Sequence, residues 1–494
     1  MHGVVPKWLK RAFTSIIVQS HEFCPIRTKR AYPCPNRTLR LPAVLGRTVP
    51  APYDGFDIKA RRAMTGEEFC MEETTATRSH YLRAWPLLLF CVMAYFITAT
   101  VSSSMNIAAG ILEEARGWSS VLITSMISVA SVGNVVMGFI AGRLCSKHSP
   151  KILCFVWAAL YLVGLVLLGI SKEFAIFSVA MVVANAAASA WGFNTVPVFV
   201  ANWFPTKKGA IQGFVSMGIP LGAGFSSMAY NFGMQRFGID GAFIPFMVIA
   251  AVALVLLGVF VTVTPEEHGL VPDTMDRCEK NVPILSVPEG GKDNTALTGR
   301  LLHDRRFMAL SVILGIQLLY SGGLMVQIAP RLFELGYSMD EAINAMLVSA
   351  LFACVGSWIA GVVGDRIGSR AGTAITYGIG IIGILLNLTG TGFGVYASLA
   401  FIGAVTGAAS NWPVTICADL FGREGFTGSF GLMQPVIQLV GAIGPSFFAL
   451  ISGATGSYFV SYVAGAALML VGLVAFLLVS RGGLTTGEAR PDEK

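Results

Sequence analysis

The chain has 494 residues, 54% hydrophobic and only 13% charged, with a formal net charge of +7; soluble domains carry about 25% charged residues. Such a balance cannot clothe a water-facing surface. The positive charge does not call for a nucleic-acid partner either, because the basic residues sit in short loops beside apolar runs, the pattern of membrane orientation.

Residues 1–83 stand apart. Up to Tyr53 they carry nine Lys/Arg against the single acid Glu22, with seven prolines and the short amphipathic piece WLKRAFTSIIVQ. Three readings stay open: an Arg-rich, acid-poor transit sequence, a disordered basic tail on anionic lipid, or a translation start at Met64 or Met71 that leaves the upstream residues unused.

From about Ala84 onward, apolar runs of the length a bilayer demands of a helix follow one another. They fall at 84–112, 119–141, 152–170, 174–203, 209–232, 241–263, 307–330, 339–363, 371–389, 393–418, 427–451 and 456–480. The polar stretch 264–306 divides six runs from six. The expected fold is an all-α membrane protein of twelve transmembrane helices in two pseudo-symmetric six-helix halves, 84–263 and 307–480, with a short tail at 481–494.

Alternate loops differ sharply in Lys and Arg. One set holds Arg143, Lys147, Lys151, Lys207, Lys208, Arg277, Lys280, Lys292, Arg300, Arg305, Arg306, Arg366, Arg370 and Arg423, and the other only Arg116, Lys172, Arg236 and Arg331. The richer set belongs in the cytoplasm by the positive-inside rule, and both termini go with it.

One pattern is written twice. SVGNVVMGFIAGRLCSK (131–147), after span 2, returns 223 residues later as CVGSWIAGVVGDRIGSR (354–370), after span 8. The copies share Gly133/Gly356, Gly138/Gly361, Arg143/Arg366 and the basic pair Lys147/Arg370, whereas Asp365 faces Gly142 and Gly368 faces Cys145. Small residues let helices approach closely in lipid. An acid at a helix end among basic neighbours can pair across to another helix and hold one conformation shut.

These residues resemble the major facilitator superfamily, whose loop after the second helix has the form G-x-x-x-D-R-x-G-x-R, matched by Gly361, Asp365, Arg366, Gly368 and Arg370. The resemblance covers about 84–480 and implies two halves rocking around a central solute site. A conformational latch is expected at Gly138, Arg143, Gly361, Asp365, Arg366, Gly368 and Arg370. It should rest on the second half, because Gly142 bears no charge, and Gly142→Asp should bias the chain toward the cytoplasm-closed state. Further along, NWFPTKKG (202–209) and TPEEHGLVPD (264–273) are similar to segments of the oxalate/formate antiporter and monocarboxylate porter branch.

The halves echo again where a solute would sit. Asn194 in span 4 answers Asn411 in span 10, with Trp191 and Trp412 nearby, and Gly and Pro interrupt spans 5 and 11 in matching places. Matched interruptions point to a site near the bilayer midplane. Amides and phenols deep in spans face a protein interior or a watery cavity, since an unpaired polar group in hydrocarbon is costly; they include Tyr95, Asn134, Asn185 and Gln212. Candidate solute-binding residues are Trp191, Asn194, Gln317, Tyr320, Gln327, Asn411, Trp412, Gln434 and Gln438.

No Lys, Arg, Asp, Glu or His lies deep in a span. The resemblance implies cations in helices 8 and 11 that grip carboxylates, yet the corresponding regions offer Ser357 and Gln434 or Gln438, which argues against a doubly charged solute. Proton coupling through a side chain finds no titratable group, leaving uniport, exchange or a proton carried by the solute itself. Nine scattered cysteines form no disulfide framework or zinc pattern, and no cofactor, metal or catalytic residue is expected.

The expectation is therefore a secondary active or facilitative transporter of a small organic acid, a monocarboxylate-like anion, working as a monomer in the plasma or inner membrane. Efflux of a neutral or amphipathic compound is the alternative within transport, and a transporter-like membrane sensor the alternative from another class.

Overall fold

The computed structural model describes residues 66–268 and 294–481. The leader up to residue 65, most of the expected central loop and the tail beyond 481 lie outside the described residues. The chain divides into two compact units, Met1–Trp85 and Pro86–Lys494, and the second holds the membrane-spanning body.

Helix α1 (Gly66–Arg116) is followed by α2 (Ser120–Cys145) and α3 (Pro150–Ile170). The fourth pass is composite: α4 (Phe174–Ser189), a π-turn (Ala190–Thr195) and α5 (Val196–Trp203). The fifth combines α6 (Lys208–Ser216) and α7 (Gly218–Phe237), and the sixth is α8 (Ile244–Phe260). A 3-10 turn at Pro265–His268 and helix α9 (Asn294–His303) come next, before α10 (Arg305–Glu334), α11 (Met339–Ile367) and α12 (Ser369–Leu388). The tenth pass starts as α13 (Gly392–Ala409) and continues into α14 (Trp412–Ala442), which turns at Gly422 to become the eleventh; α15 (Gly444–Thr455) completes it and α16 (Tyr458–Arg481) is the twelfth.

In lipid every backbone N–H and C=O must be satisfied within the segment, so apolar runs of this length become helices. Among the described residues, ten stretches are long and apolar enough on their own to cross a bilayer. The remaining two passes fall short for local reasons: α8 has 17 residues, and the fifth pass is interrupted at Met217. Together they make the twelve helices of two pseudo-symmetric halves. Val132, Val259, Leu351 and Val471 are each more than 60% exposed, a surface that suits acyl chains and not water. No strand occurs among the described residues.

Side-chain caps begin some passes of the second half, whereas Ser119, Ser149 and Glu173 at the starts of α2, α3 and α4 make no such bond. Asp304 accepts the N–H groups of Arg306 and Phe307 at the start of α10, and Ser338 with Glu341 forms a capping box at the start of α11.

Four passes are broken, in two matching pairs, and each break lies just ahead of a proline. The π-turn of the fourth pass precedes Pro197, and the gap between α13 and α14 in the tenth precedes Pro413. Met217 in the fifth precedes Pro220, and Ile443 in the eleventh precedes Pro445. Proline lacks an N–H and its ring presses on the carbonyl four residues back, so the ladder loosens there.

The halves meet mainly on the side that bears the repeated turn, called here the motif face. There α6 packs against α11, and α2 against α14. Toward the opposite face, α15 packs chiefly on α10 and α16 of its own half. Contacts between the halves are thus concentrated at the motif face, with a smaller set between α7 and α11.

Candidate functional site: a cavity between the halves and the seam below it

Between the halves lies a cavity of about 230 Å³. The first half lines it with Tyr95, Ser131, Asn134, Ser189 and Phe193, and the second with Leu318, Ser410, Pro413, Val414, Phe430, Gln434, Ile437 and Gln438. No Asp, Glu, His, Lys or Arg is among these lining residues. Amides and hydroxyls from both sides provide the polarity, and Gln438 Nε2 donates to Ser189 Oγ at 3.4 Å across the gap.

The helix breaks put these groups in place. The π-turn carries Phe193 to the cavity, edge-on to Tyr95 at 5.9 Å, and the break after Ala409 releases Ser410 to line the wall. Such π-turns mark places where a helix presents side chains it would otherwise bury.

Next to Ser410, three buried polar residues tie the halves together. Ser216 Oγ on α6 donates to Asn411 Oδ1 at 2.7 Å and lies 2.6 Å from Ser357 Oγ on α11. Asn411 Nδ2 donates to the Ser357 carbonyl at 2.6 Å, and Ser357 Oγ donates to the Gly213 carbonyl at 2.9 Å. Buried and mutually satisfied, this knot is costly to break one partner at a time.

At the motif face itself, the Asp365 carboxylate of α11 accepts the N–H groups of Gly209 and Ala210, the first turn of α6 in the other half. A helix N-terminus offers unpaired donors and a positive dipole end, so an acid fits there. Lys208 Nζ lies 2.6 Å from Asp419 Oδ1, again across the halves, and Asp419 also accepts from Ser369 Oγ. Arg423 makes a bidentate pair with Glu266 at 2.6 and 2.9 Å, and this guanidinium holds the Glu266 carboxyl below its ordinary value.

The second copy of the repeated turn is shaped for this capping. Gly361 lets the backbones of α11 and α6 touch, a β-carbon at 361 lying 2.7 Å from the Gly209 carbonyl carbon. Gly368 adopts φ 91°, which allows α12 to begin one residue after α11 ends. Arg366 and Arg370 are exposed.

The first copy does something else. Gly138 lies against Pro435, and at Gly142 a β-carbon would sit 2.7 Å from the Gly431 Cα and collide with its carbonyl. The partner of α2 is the interior of α14, whose backbone runs on through this point, whereas α6 begins opposite Asp365. No helix start is offered to residue 142, and no room exists for a side chain. This reverses the expectation for Gly142→Asp: in this conformation the substitution prises the seam apart. Arg143 is exposed.

The candidate solute-binding residues divide. Gln434 and Gln438 line the cavity. Asn411 is part of the knot. Trp412 turns away, donating to Thr376 Oγ1 at 3.0 Å with its ring against Gly364 and Gly372. Trp191 is buried in the first half beside Phe90. Asn194 reaches the Ser189 carbonyl at 3.5 Å. Tyr320 donates to the Gly380 carbonyl at 3.3 Å and Gln327 to Ser452 Oγ at 3.3 Å. Gln317 is fully buried and, among the described residues, neither of its amide atoms is paired. The aromatic side chains that line the cavity are Tyr95, Phe193 and Phe430, and neither candidate tryptophan is among the lining residues. Tyr95 and Asn134 were visible as polar groups deep in spans; Phe193, Ser189 and Ser410 carry no signal of their own in the sequence, and neither does the Lys208–Asp419 pair.

A family model described as Major Facilitator Superfamily matches residues 91–445. Among curated proteins, the chain is 23% identical over 427 residues to the "Probable sulfoacetate transporter SauU" of Cupriavidus necator, covering 82% of this chain and 95% of that protein. Among solved structures, the fold is similar to the proton:xylose symporter XylE bound to 6-bromo-6-deoxy-D-glucose, with TM-score 0.63, 13% identity and coverage of 82% and 96%. It is also similar to the human organic anion transporter MFSD10, with TM-score 0.59, 14% identity and coverage of 80% and 98%.

Proposed function

The chain belongs to the Major Facilitator Superfamily and is a membrane transporter, not an enzyme; from that premise we propose that its solute is a small organic acid, held as a monocarboxylate-like anion in the cavity between the halves and moved by their rocking. The observation that carries this reading is the cavity lining, amides and hydroxyls from both halves with no ionised side chain. Polarised N–H and O–H donors can hold one negative charge. A dianion would be buried without a countercharge, which is expensive.

The similarity to a probable sulfoacetate transporter supports an organic anion but not the single charge, since sulfoacetate carries a sulfonate as well as a carboxylate; the NWFPTKKG and TPEEHGLVPD segments support the oxalate/formate and monocarboxylate branch. On this reading the motif face is cytoplasmic, both termini lie there, and the conformation described is open to the other side. The membrane is the plasma or inner membrane, and a single chain suffices. With no titratable Asp, Glu or His in the lining, movement is by exchange, by uniport or with a proton carried on the solute.

The test is counterflow in liposomes: purified protein should exchange a labelled monocarboxylate, and Gln438→Ala should weaken that exchange. A protein that moves none of a panel of monocarboxylates sinks the reading. Efflux of a neutral amphipathic compound is the second reading, favoured by the apolar share of the wall, Leu318, Val414, Phe430 and Ile437. Resistance conferred on cells overproducing the chain, without acid exchange, would select it.

A further inference from the structure

We infer that Tyr95 is the hydrogen-bond donor that selects the anionic group of the solute, and that Gln212, which lies outside the cavity, is the positioning residue that aims it; the inference rests on the organic-acid reading above.

A phenol has one proton to give and lone pairs to accept with. Gln212 Nε2 donates to the Tyr95 hydroxyl oxygen at 2.6 Å, and an amide N–H can only donate. With the amide in this orientation the phenol's own proton is directed away from Gln212, and among the described residues no group accepts it; Gln212 Oε1, buried as well, is left unpaired. Tyr95 borders the cavity with only 1% of its surface exposed, and Gln212, which is not among the lining residues, is fully buried.

Everything around this phenol holds it still. On one side Gly192, inside the π-turn, brings the fourth pass onto α1, where a β-carbon would lie 3.1 Å from the Ala94 carbonyl oxygen. On the other side Gly218 brings α7 against α1, where a β-carbon would lie 2.9 Å from the Tyr95 Cβ. Phe193 stands edge-on to the ring, its plane at 68°. Backbone, ring plane and hydroxyl lone pair are all fixed before a solute arrives, so little freedom is lost when the proton is given to a carboxylate. A hydrogen bond to an ionised acceptor is about twice as strong as one to a neutral oxygen, and the residue thereby favours an acid over its amide.

The plain alternative is that Tyr95 and Gln212 form an interhelical tie between α1 and α6. A tie supports folding and leaves solute preference alone.

The experiment uses the full chain in proteoliposomes with labelled acetate, glycolate, lactate and pyruvate, and the corresponding neutral amides as competitors. Tyr95→Phe keeps the ring and removes the donor; KM for the acid should rise about tenfold, with the maximal rate changed by less than about twofold. Gln212→Leu should reproduce that rise, and the double variant should be no worse than either single change, because both act through one proton. Inhibition by the amides should change less than KM for the acids. KM does not depend on how much protein is active, so partial misfolding does not hide the result. Acid exchange by the unaltered chain with KM unchanged in Tyr95→Phe, or with the two substitutions additive, overturns the assignment and leaves the transport reading standing. An unaltered chain that exchanges none of the four acids overturns both.

Discussion

The Asp365 carboxylate caps a helix that belongs to the opposite half of the molecule, accepting the Gly209 N–H at 2.9 Å and the Ala210 N–H at 2.7 Å. A cap of this kind contributes about 1–2 kcal/mol, and it exists only while the motif face is closed. Asp365→Ala should therefore move the balance toward a motif-face-open state by about 5- to 30-fold. Spin labels at the exposed positions Lys147 and Arg370, placed by cysteine substitution after the native cysteines are replaced, should report a larger population of long distances. An unaltered distribution would remove Asp365 from the closure.

Gly142→Asp should push in the same direction as Asp365→Ala, although it adds the acid the repeat lacks. The backbone of Gly431 occupies the space the new side chain needs, and overpacking of this kind costs about 1–3 kcal/mol. Gly431→Ala should mimic it from the other side. Shorter label distances in Gly142→Asp would mean that the acid finds a partner after all.

Asn411 and Trp412 should separate closure from solute binding. Asn411→Ala removes one hydrogen bond each from the Ser357 carbonyl and the Ser216 hydroxyl, which keeps Ser357 Oγ as a neighbour, a loss of about 0.5–1.5 kcal/mol per bond. It should open the motif face while leaving KM nearly constant. Trp412→Ala empties a fully packed site between α11 and α12, a change of about 3–5 kcal/mol in folding stability, read as a lower melting temperature at unchanged KM. A raised KM in either variant would place that side chain against the solute.

Protonation offers a separate handle on the Arg423–Glu266 pair. The folded Glu266 carboxyl is held below its ordinary 4.5, so the pair's contribution is complete above pH 4.5 and fades as pH falls through the lowered value. Both side chains are partly exposed, 30% and 47%, which limits the contribution to under about 1 kcal/mol. The melting temperatures of the unaltered chain and of Glu266→Gln should thus differ slightly at neutral pH and converge below 4.5. A gap that widens with acid would contradict the pairing.

The twelve spans are legible in the sequence because hydrophobic length is a property of each segment alone. Breaks in the fifth and eleventh passes are legible too, through Pro220 and Pro445 and their glycines. Whether a deep polar residue faces a cavity or a neighbouring helix depends on the rotation of that helix, which no residue type records. Gln438 and Tyr320 read alike, yet one lines the cavity and the other donates to the Gly380 carbonyl. The duplicated turn shows in the same way what sequence hides. Gly142 is visible as a missing acid, but its cause is that α14 continues where α6 starts, a difference located in two other helices.

The π-turn at Ala190–Thr195 has a consequence for how the fourth pass can vary. Residues before and after it are out of phase with an unbroken helix by roughly one residue, about 100° of rotation. Ser189 faces the cavity on one side of that offset while Asn202 and Trp203 reach the Val263 and Thr262 carbonyls on the other. Deleting a single residue within 190–195 would restore a regular helix and swing one of these two faces out of register. The transport chamber and the anchoring of the sixth pass are in this sense wound on the same screw, and one thread too few would disengage one or the other.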